Sequence, residues 1–298
     1  MSYRDIDALR AALYDGSVKK FILDTDTYNE IDDQFALAWS LLTDRAELLS
    51  VNAAPFHNNR STGPEDGMLR SYGEILNIMK LVGRSVPAYK GSTAYLPDKG
   101  TALDSDAADN IINTAKGFTP DEPLYVLAIG AITNVASALI KAPEIKDDIV
   151  VIWLGGHAHH WPDTREFNLI QDVPAAKVIF DSGVRFVQLP CAGVVDHLAT
   201  TMPELKHYLK GKNAFCDYLV DIVDGYGGGM FWSKVIWDIS AVAALVCPKA
   251  LDLVIKPTPT VTGDGTYSFS DSRHPMLYCR SLNRDRIFAE MYGDFTKQ

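Results

Sequence analysis

Residues 21–42 read FILDTDTYNEIDDQFALAWSLL, and no other stretch limits the fold so tightly. Phe21, Ile22 and Leu23 form a short apolar run entered from two lysines, the pattern of an inner strand. Asp24 and Asp26 follow at a spacing of two, so in extended backbone they face the same way. A five-residue turn leads to Asp32 and Asp33. Phe35, Leu37, Ala38, Leu41 and Leu42 then give the spacing of a helix packed on a sheet, with Asp32 expected at its N-cap or first turn. The chain thus brings four carboxylates to the mouth between a strand's carboxyl end and a helix N-terminus, where open α/β sheets bind ligands.

So many carboxylates in one place repel one another and lose solvation. A helix N-terminus contributes roughly 0.3–1 kcal/mol per anion, too little to hold them all ionised. A cation among them resolves the conflict, and oxygen donors without nearby Cys or His favour Ca²⁺ or Mg²⁺ over Zn²⁺. A solvated acidic loop that only caps a helix is the plainer reading. It is weakened because Asp24 and Asp26 directly continue an apolar strand.

Further strands are expected at 47–54, 124–129, 149–154, 185–189 and 251–255, with helices at 66–82, 110–115, 135–140, 173–181 and 203–223. Residues 87–97 read as irregular surface, and the segments from 251 to 281 as peripheral strands before a last helix over 283–291. Apolar strands alternating with helices predict an α/β fold: one open, mostly parallel sheet flanked by helices, with residues 1–298 as a single domain. The net charge of −10 argues against a nucleic-acid or anionic-membrane partner. No 18-residue apolar run or secretory pattern is present, so a cytoplasmic protein with Cys191, Cys216, Cys247 and Cys279 reduced is expected.

Other chemistry lies at predicted strand ends. Asn58 and Asn59, beyond the second strand, suit either a neutral polar ligand or turn chemistry. Residues 130–134, GAITN, lack the glycine spacing and lysine of a phosphate loop. Residues 157–168, HAHHWPDTREFN, hold three histidines in four positions, a spacing poorly suited to one zinc ion; a polar site wall with Glu166 and Asn168 on one side is the more economical reading. Asp238 opens a helix of small residues, either as a cap or as a remote member of the acidic group.

Four ordered signals, DTDTYNEIDD at 24–33, AIGAITN at 128–134, REFN at 165–168 and WDISAVA at 237–243, together resemble the nucleoside hydrolase family, the inosine-uridine-preferring type and its relatives. The resemblance covers approximately residues 19–250. It implies a homodimer or homotetramer that binds one Ca²⁺ at the base of its pocket and hydrolyses the N-ribosidic bond of a nucleoside-like small molecule. By the same resemblance Asp26 would touch calcium and take the proton of the attacking water, Asp33 and Asp238 would be further calcium ligands, and Thr133 would offer its backbone carbonyl. Asp32, Glu166, Asn168 and Asn58 would hold the ribose, and Asp24 would support the site from behind.

Three departures from the family pattern stand out. Thr27–Ile31 is two residues longer than the usual proline-glycine turn, Trp237 stands where a histidine protonates the departing base, and His160 takes the place of an asparagine that contacts the sugar. Trp can stack or donate one hydrogen bond but is no acid at neutral pH. His157, His159, His160 and Lys234 remain as candidates to assist departure. Two rivals follow. A haloacid-dehalogenase-type Mg²⁺ phosphatase would use Asp24 as nucleophile, although Tyr28 occupies the threonine position of its DxDxT motif. A calcium-stabilised protein that binds a ribosyl ligand without turnover would explain the missing histidine.

Overall fold

A computed structural model describes residues 2–229 and 231–297. Helix α1 (Tyr3–Tyr14) opens with a Ser2/Asp5 capping box and leads to β1 (Lys19–Thr25). Then come α2 (Asp33–Leu42), β2 (Ala46–Ala53), α3 (Pro64–Val82), β3 (Ala88–Lys90), α4 (Asp106–Ala115), β4 (Leu124–Ala128), α5 (Thr133–Lys141) and β5 (Ile149–Leu154). The chain continues through α6 (Phe167–Gln171), α7 (Val173–Ser182), β6 (Arg185–Leu189), β7 (Ala199–Thr201), α8 (Met202–Tyr208), α9 (Ala214–Tyr226), β8 (Ser233–Val235) and α10 (Ile239–Val246). It ends with β9 (Leu251–Pro257), β10 (Thr260–Val261), β11 (Tyr267–Ser268), β12 (Pro275–Leu282) and α11 (Arg284–Thr296).

The main sheet runs β3-β2-β1-β4-β5-β6-β12-β9, parallel throughout except where β9 pairs antiparallel with β12. Alternation along the strands divides the core in two. Phe21, Leu23, Tyr125 and Leu127 face the side covered by α2, α3, α9, α10 and α11, whereas Ile22, Leu124 and Val126 face α4, α5 and α7. Strand order reverses between β1 and β4, which opens a crevice beyond their carboxyl ends.

Two helices are buried on every side. All ten residues of α2 and all eight of α10 are buried, so propensity matters less for them than packing. Trp39 of α2 illustrates the packing. It is fully buried, a burial that stabilises by about 1.5–3 kcal/mol, and its indole N–H donates to Asp294 Oδ2 at 2.8 Å, which ties α2 to α11. These two helices carry Asp32, Asp33 and Asp238 at their N-terminal ends, and both ends open on the crevice.

The structure departs from the sequence expectations in three places. Residues 88–90, read as irregular, form the edge strand β3. The helix expected over 203–223 is two helices, because Gly211 takes φ +76° between them. Strand β12 is not peripheral. Leu277 and Cys279 enter one core and Met276 and Tyr278 the other, so it lies between β6 and β9.

Gly91, just past β3, shows how tightly the crevice floor is built. A Cβ there would lie 2.0 Å from the Ala53 carbonyl oxygen and 2.6 Å from Asn134 Nδ2. Gly91→Ala is expected to destabilise the fold by about 1–3 kcal/mol, read as a lower urea midpoint at unchanged slope. An unchanged midpoint would show that the floor yields freely.

Candidate active site

The crevice holds a cavity of about 290 Å³. Its polar wall is made of Asn29, Glu30, Asp32, Asn58, His157, Glu166, Asn168 and Asp238; Ile129, Leu154, Phe167, Cys191 and Trp237 supply the rest. Of the residues expected at the site, Asp32, Asn58, Glu166, Asn168, Trp237 and Asp238 line this cavity.

Asp32 and Asp238 occupy the N-cap positions of α2 and α10, yet neither side chain caps its helix. Glu166, Asp172, Asn213 and Asn283, by contrast, do cap theirs. Asp32 Oδ2 instead accepts the Trp237 N–H at 3.1 Å, and Oδ1 lies 3.8 Å from the Lys234 ammonium. This turns Asp32 toward Asp238. The two carboxylates and that of Asp33 offer oxygens within 4.8 Å of one another, a group able to hold a divalent cation. Asp33 Oδ1 also accepts the Thr25 hydroxyl at 2.6 Å.

Asp26 sits behind this group. It is fully buried, and neither of its oxygens has a hydrogen-bond partner among the described residues. Gly130 makes room for it, since a Cβ there would fall 2.9 Å from Asp26 Cγ. Burial and the charges of Asp33 and Asp32 hold the Asp26 carboxyl far above the usual range, and burial with Asp32 and Asp33 does the same to Asp238. Burial raises Asp33 to about 7 and Asp32 to about 6, the latter against the pull of Lys234. Buried acids without partners cost several kcal/mol when ionised, so this donor set, all hard oxygen, fits a cation such as calcium. Asp24 is also fully buried, away from the cavity wall. Asn134 Nδ2 donates to its Oδ2 at 2.9 Å, and burial moves it to about 7. The phosphatase reading needs this carboxylate exposed as a nucleophile, and loses it.

Glu166 is pinned by three backbone donors: Gly156 at 2.9 Å, Asn168 at 2.8 Å and Leu169 at 3.0 Å. Asn168 gives its amide N–H groups to the carbonyls of Leu154 and Ile129, at 3.0 and 3.2 Å, which leaves Oδ1 as its acceptor. Asn58 donates to Asn29 Oδ1 at 2.6 Å and so braces the longer turn. Thr133 begins α5 with its hydroxyl donated to Asp172 Oδ2 at 2.7 Å.

His160 is exposed and outside the cavity wall. Gly193 takes φ +87°, and a Cβ there would meet Ala158 at 2.9 Å and His160 Nε2 at 3.4 Å, so the His160 ring lies along this outer turn. His157 takes the inner position. Burial lowers its pKa against Asp163 and Asp196. Lys234 is locked by Glu30 and by Asp32; burial opposes its charge, but the two carboxylates outweigh burial and keep it protonated. The role of Glu30 was not visible in the sequence, because its partner lies 204 residues away. Cys191 could have been found, as it follows the carboxyl end of a predicted strand.

His159 is turned from the cavity into a box of rings, 4.3 Å from Tyr278, 5.1 Å from Phe269 and 5.3 Å from Tyr267. Burial brings its pKa down to about 4. Unfolded histidine titrates near 6.5, so the unfolded chain takes the proton first as pH falls. The neutral ring's contribution is therefore complete above about pH 6.5 and is lost down to about pH 4. After a discount for partial exposure the swing is about 1–2 kcal/mol. Urea titrations of the parent and His159→Phe are expected to converge by this amount between pH 7.5 and 4.5; a constant gap would contradict the assignment.

A doubly wound sheet with an acidic, oxygen-only site at its switch point defines a class of α/β proteins that bind ligands over a cation. The pattern of the inosine-uridine preferring nucleoside hydrolases matches residues 21–289, and the chain belongs to that family. A non-specific ribonucleoside hydrolase RihC of Salmonella paratyphi B is 31% identical over 136 residues, 44% of each chain. The match thus spans less than half of that curated relative. Among solved structures, the purine-preferring ribonucleoside hydrolase from Gardnerella vaginalis superposes with a TM-score of 0.74 at 23% identity, covering 93% of this chain and 98% of that one. The plant nucleoside hydrolase PpNRh1 gives 0.75 at 18% identity, with 94% and 99% covered. At these identities the two superpositions establish the fold. Among the described residues no helix is long and apolar enough to cross a membrane.

Proposed function

We propose that the chain hydrolyses the N-ribosidic bond of a ribonucleoside or related ribosyl compound in a calcium-dependent reaction, giving ribose and the free base. The observation that carries this reading is the unpartnered, fully buried Asp26 beside the Asp32–Asp33–Asp238 group, under a cavity whose polar wall is mainly acceptor. Asp26, Asp33 and Asp238, with the Thr133 carbonyl, would hold the ion. Bound there, calcium would orient a water and make it easier to deprotonate.

Asp26 takes the proton from that water as general base. Asp32, Glu166 and Asn168 accept hydrogen bonds from the ribose hydroxyls, with Asn58 at the rim, and the two carboxylates together with the Asn168 amide oxygen favour the oxocarbenium-like sugar. The backbone bonds to Glu166 and the paired carbonyls under Asn168 fix these acceptors in advance of binding. Trp237 offers its ring as a stacking surface for the base. Asp24, through Asn134, holds the floor. No sugar contact is proposed for His160. The resemblance supports a homodimer or homotetramer; one domain over residues 1–298 and a cytoplasmic setting rest on the sequence pattern.

Ribosyl binding without turnover is the second reading, favoured by Trp237 in place of an acid. Chromatography of inosine, uridine, cytidine and adenosine digests separates the two. Free base and ribose in equal amounts support hydrolysis. Tight binding with all four intact after long incubation sinks it.

A further inference from the structure

Hydrolysis leaves an electron pair on the departing base, and the cavity wall holds few groups that can respond to it. Asp32, Glu166, Asp238 and the Oδ1 of Asn168 all accept hydrogen bonds, which suits sugar hydroxyls. They repel an electron-rich base. Lys234 is bound to Glu30 and Asp32 and has no reason to yield its proton. His159 and His160 lie outside the wall.

His157 differs from all of these. The chain around it is bridged to the segment after β6: Cys191 N–H donates to the Gly156 carbonyl at 2.8 Å, and Ala158 N–H to the Ala192 carbonyl at 3.0 Å. Between those bonds the Ala192 N–H donates to His157 Nδ1 at 3.2 Å. A backbone N–H pointing at Nδ1 requires a lone pair there. The ring is therefore the tautomer with its proton on Nε2, and protonating Nδ1 would break the Ala192 bond.

We infer that His157 is the hydrogen-bond donor for the departing base, giving its Nε2–H to a ring nitrogen or carbonyl oxygen of the base while keeping its own proton. This rests on the hydrolase reading and deepens it. Water oxygen bonds to C1′ as the C1′–N bond breaks. The water proton goes to Asp26, the electron pair goes to the base, and the base takes its proton from solvent. The site thereby selects ribosyl compounds whose leaving group carries an acceptor, and departs from proton donation by a histidine beside the last aspartate.

The test uses the calcium-loaded full chain. Long-range ¹H–¹⁵N spectra at pH 7, assigned by comparison with His157→Gln, are expected to show the Nε2–H tautomer; the Nδ1–H tautomer or an imidazolium overturns the inference. His157→Phe is expected to lower kcat/KM for inosine about 10²-fold but for p-nitrophenyl riboside by no more than about 3-fold, since a phenolate departs with less help. His157→Gln, which restores an N–H donor, should return to within about tenfold of the parent with the alkaline limb of the pH profile unmoved. Equal losses on both substrates, or a Gln variant as poor as Phe with that limb abolished, overturn it. If the parent hydrolyses no nucleoside, the hydrolase reading fails, and calorimetric binding of hypoxanthine decides this one separately. A loss of about tenfold in affinity in His157→Phe supports it; unchanged affinity, or no binding by the parent, overturns it.

Discussion

Asp26→Asn is expected to abolish most ribose release while leaving the fold as stable as the parent or more so. The substitution keeps shape and removes the ionisable group of a fully buried acid, neither of whose oxygens has a partner among the described residues. In the proposed role of general base Asp26 would contribute on the order of 10²–10⁴-fold, and the proposed share in holding calcium would add to that, so kcat/KM should fall about 10³-fold or more. Stability should move the other way. Burial, Asp33 and Asp32 all oppose ionisation of Asp26, and an amide never ionises, so the variant escapes that cost as pH rises. The metal-free variant should therefore melt at or above the parent. Near-parental turnover in Asp26→Asn would remove Asp26 from the mechanism, and a large drop in melting temperature would make it a structural residue instead.

The second large effect is the coupling of calcium to pH. Asp24 and Asp33 are held at about 7 and Asp32 at about 6, and Asp26 and Asp238 are also held well above the usual carboxylate range, in each case with burial as the leading cause. Unfolded aspartates titrate near 3.9, so between about pH 4 and 7 the metal-free fold binds more protons than the unfolded chain. The stability these five acids contribute is then greatest at the acid end of that window and falls as pH rises through these values. Calcium needs the carboxylates ionised, so it offsets the loss where the loss is largest. At 100 times its dissociation constant a ligand stabilises by about 2.7 kcal/mol, roughly 5–10 °C for a chain of this size. The calcium-induced rise in melting temperature should accordingly be larger at pH 8 than at pH 5.5, and chelation should cost most at pH 8. An equal rise at both values would mean that calcium does not bind these acids.

Much of this site was legible in the sequence because its first half is local. Asp24, Asp26, Asp32 and Asp33 lie within ten residues of a strand–turn–helix, where a spacing of two and a helix start fix their directions. The carboxyl-end position of Asn58, Glu166 and Asn168 followed from the parallel reading of their strands. For Asp238 the residues alone left two readings open, a cap or a remote member of the acidic group, and only the resemblance chose between them, since a carboxylate opening a helix looks the same whether it caps or not. What distinguishes it is that its side chain makes no cap.

The remainder depended on contacts between distant segments. Glu30 and Lys234 look unrelated in the chain, although their pair holds the longer turn against the strand before Asp238. Three histidines within four positions gave no hint of which ring faces inward; the Ala192 N–H and the turn at Gly193 decide it for His157. Asp32 was expected at the ribose, and its approach to Asp33 and Asp238 comes from the Trp237 N–H, 205 residues away. Strand β12 was misplaced for a related reason. Its apolar centre suits an edge or an interior, and only pairing with β6 on one side and β9 on the other sets its position.

Calcium dependence of the reaction is read from initial rates of reducing-sugar release from inosine and uridine, measured on one preparation loaded with calcium and then stripped by chelation, with circular dichroism confirming the fold in both. The expected result is release by the loaded protein, loss of at least about 10²-fold on stripping, and recovery when calcium is restored. Equal release in the two states, or none from the folded, calcium-loaded protein, would contradict it.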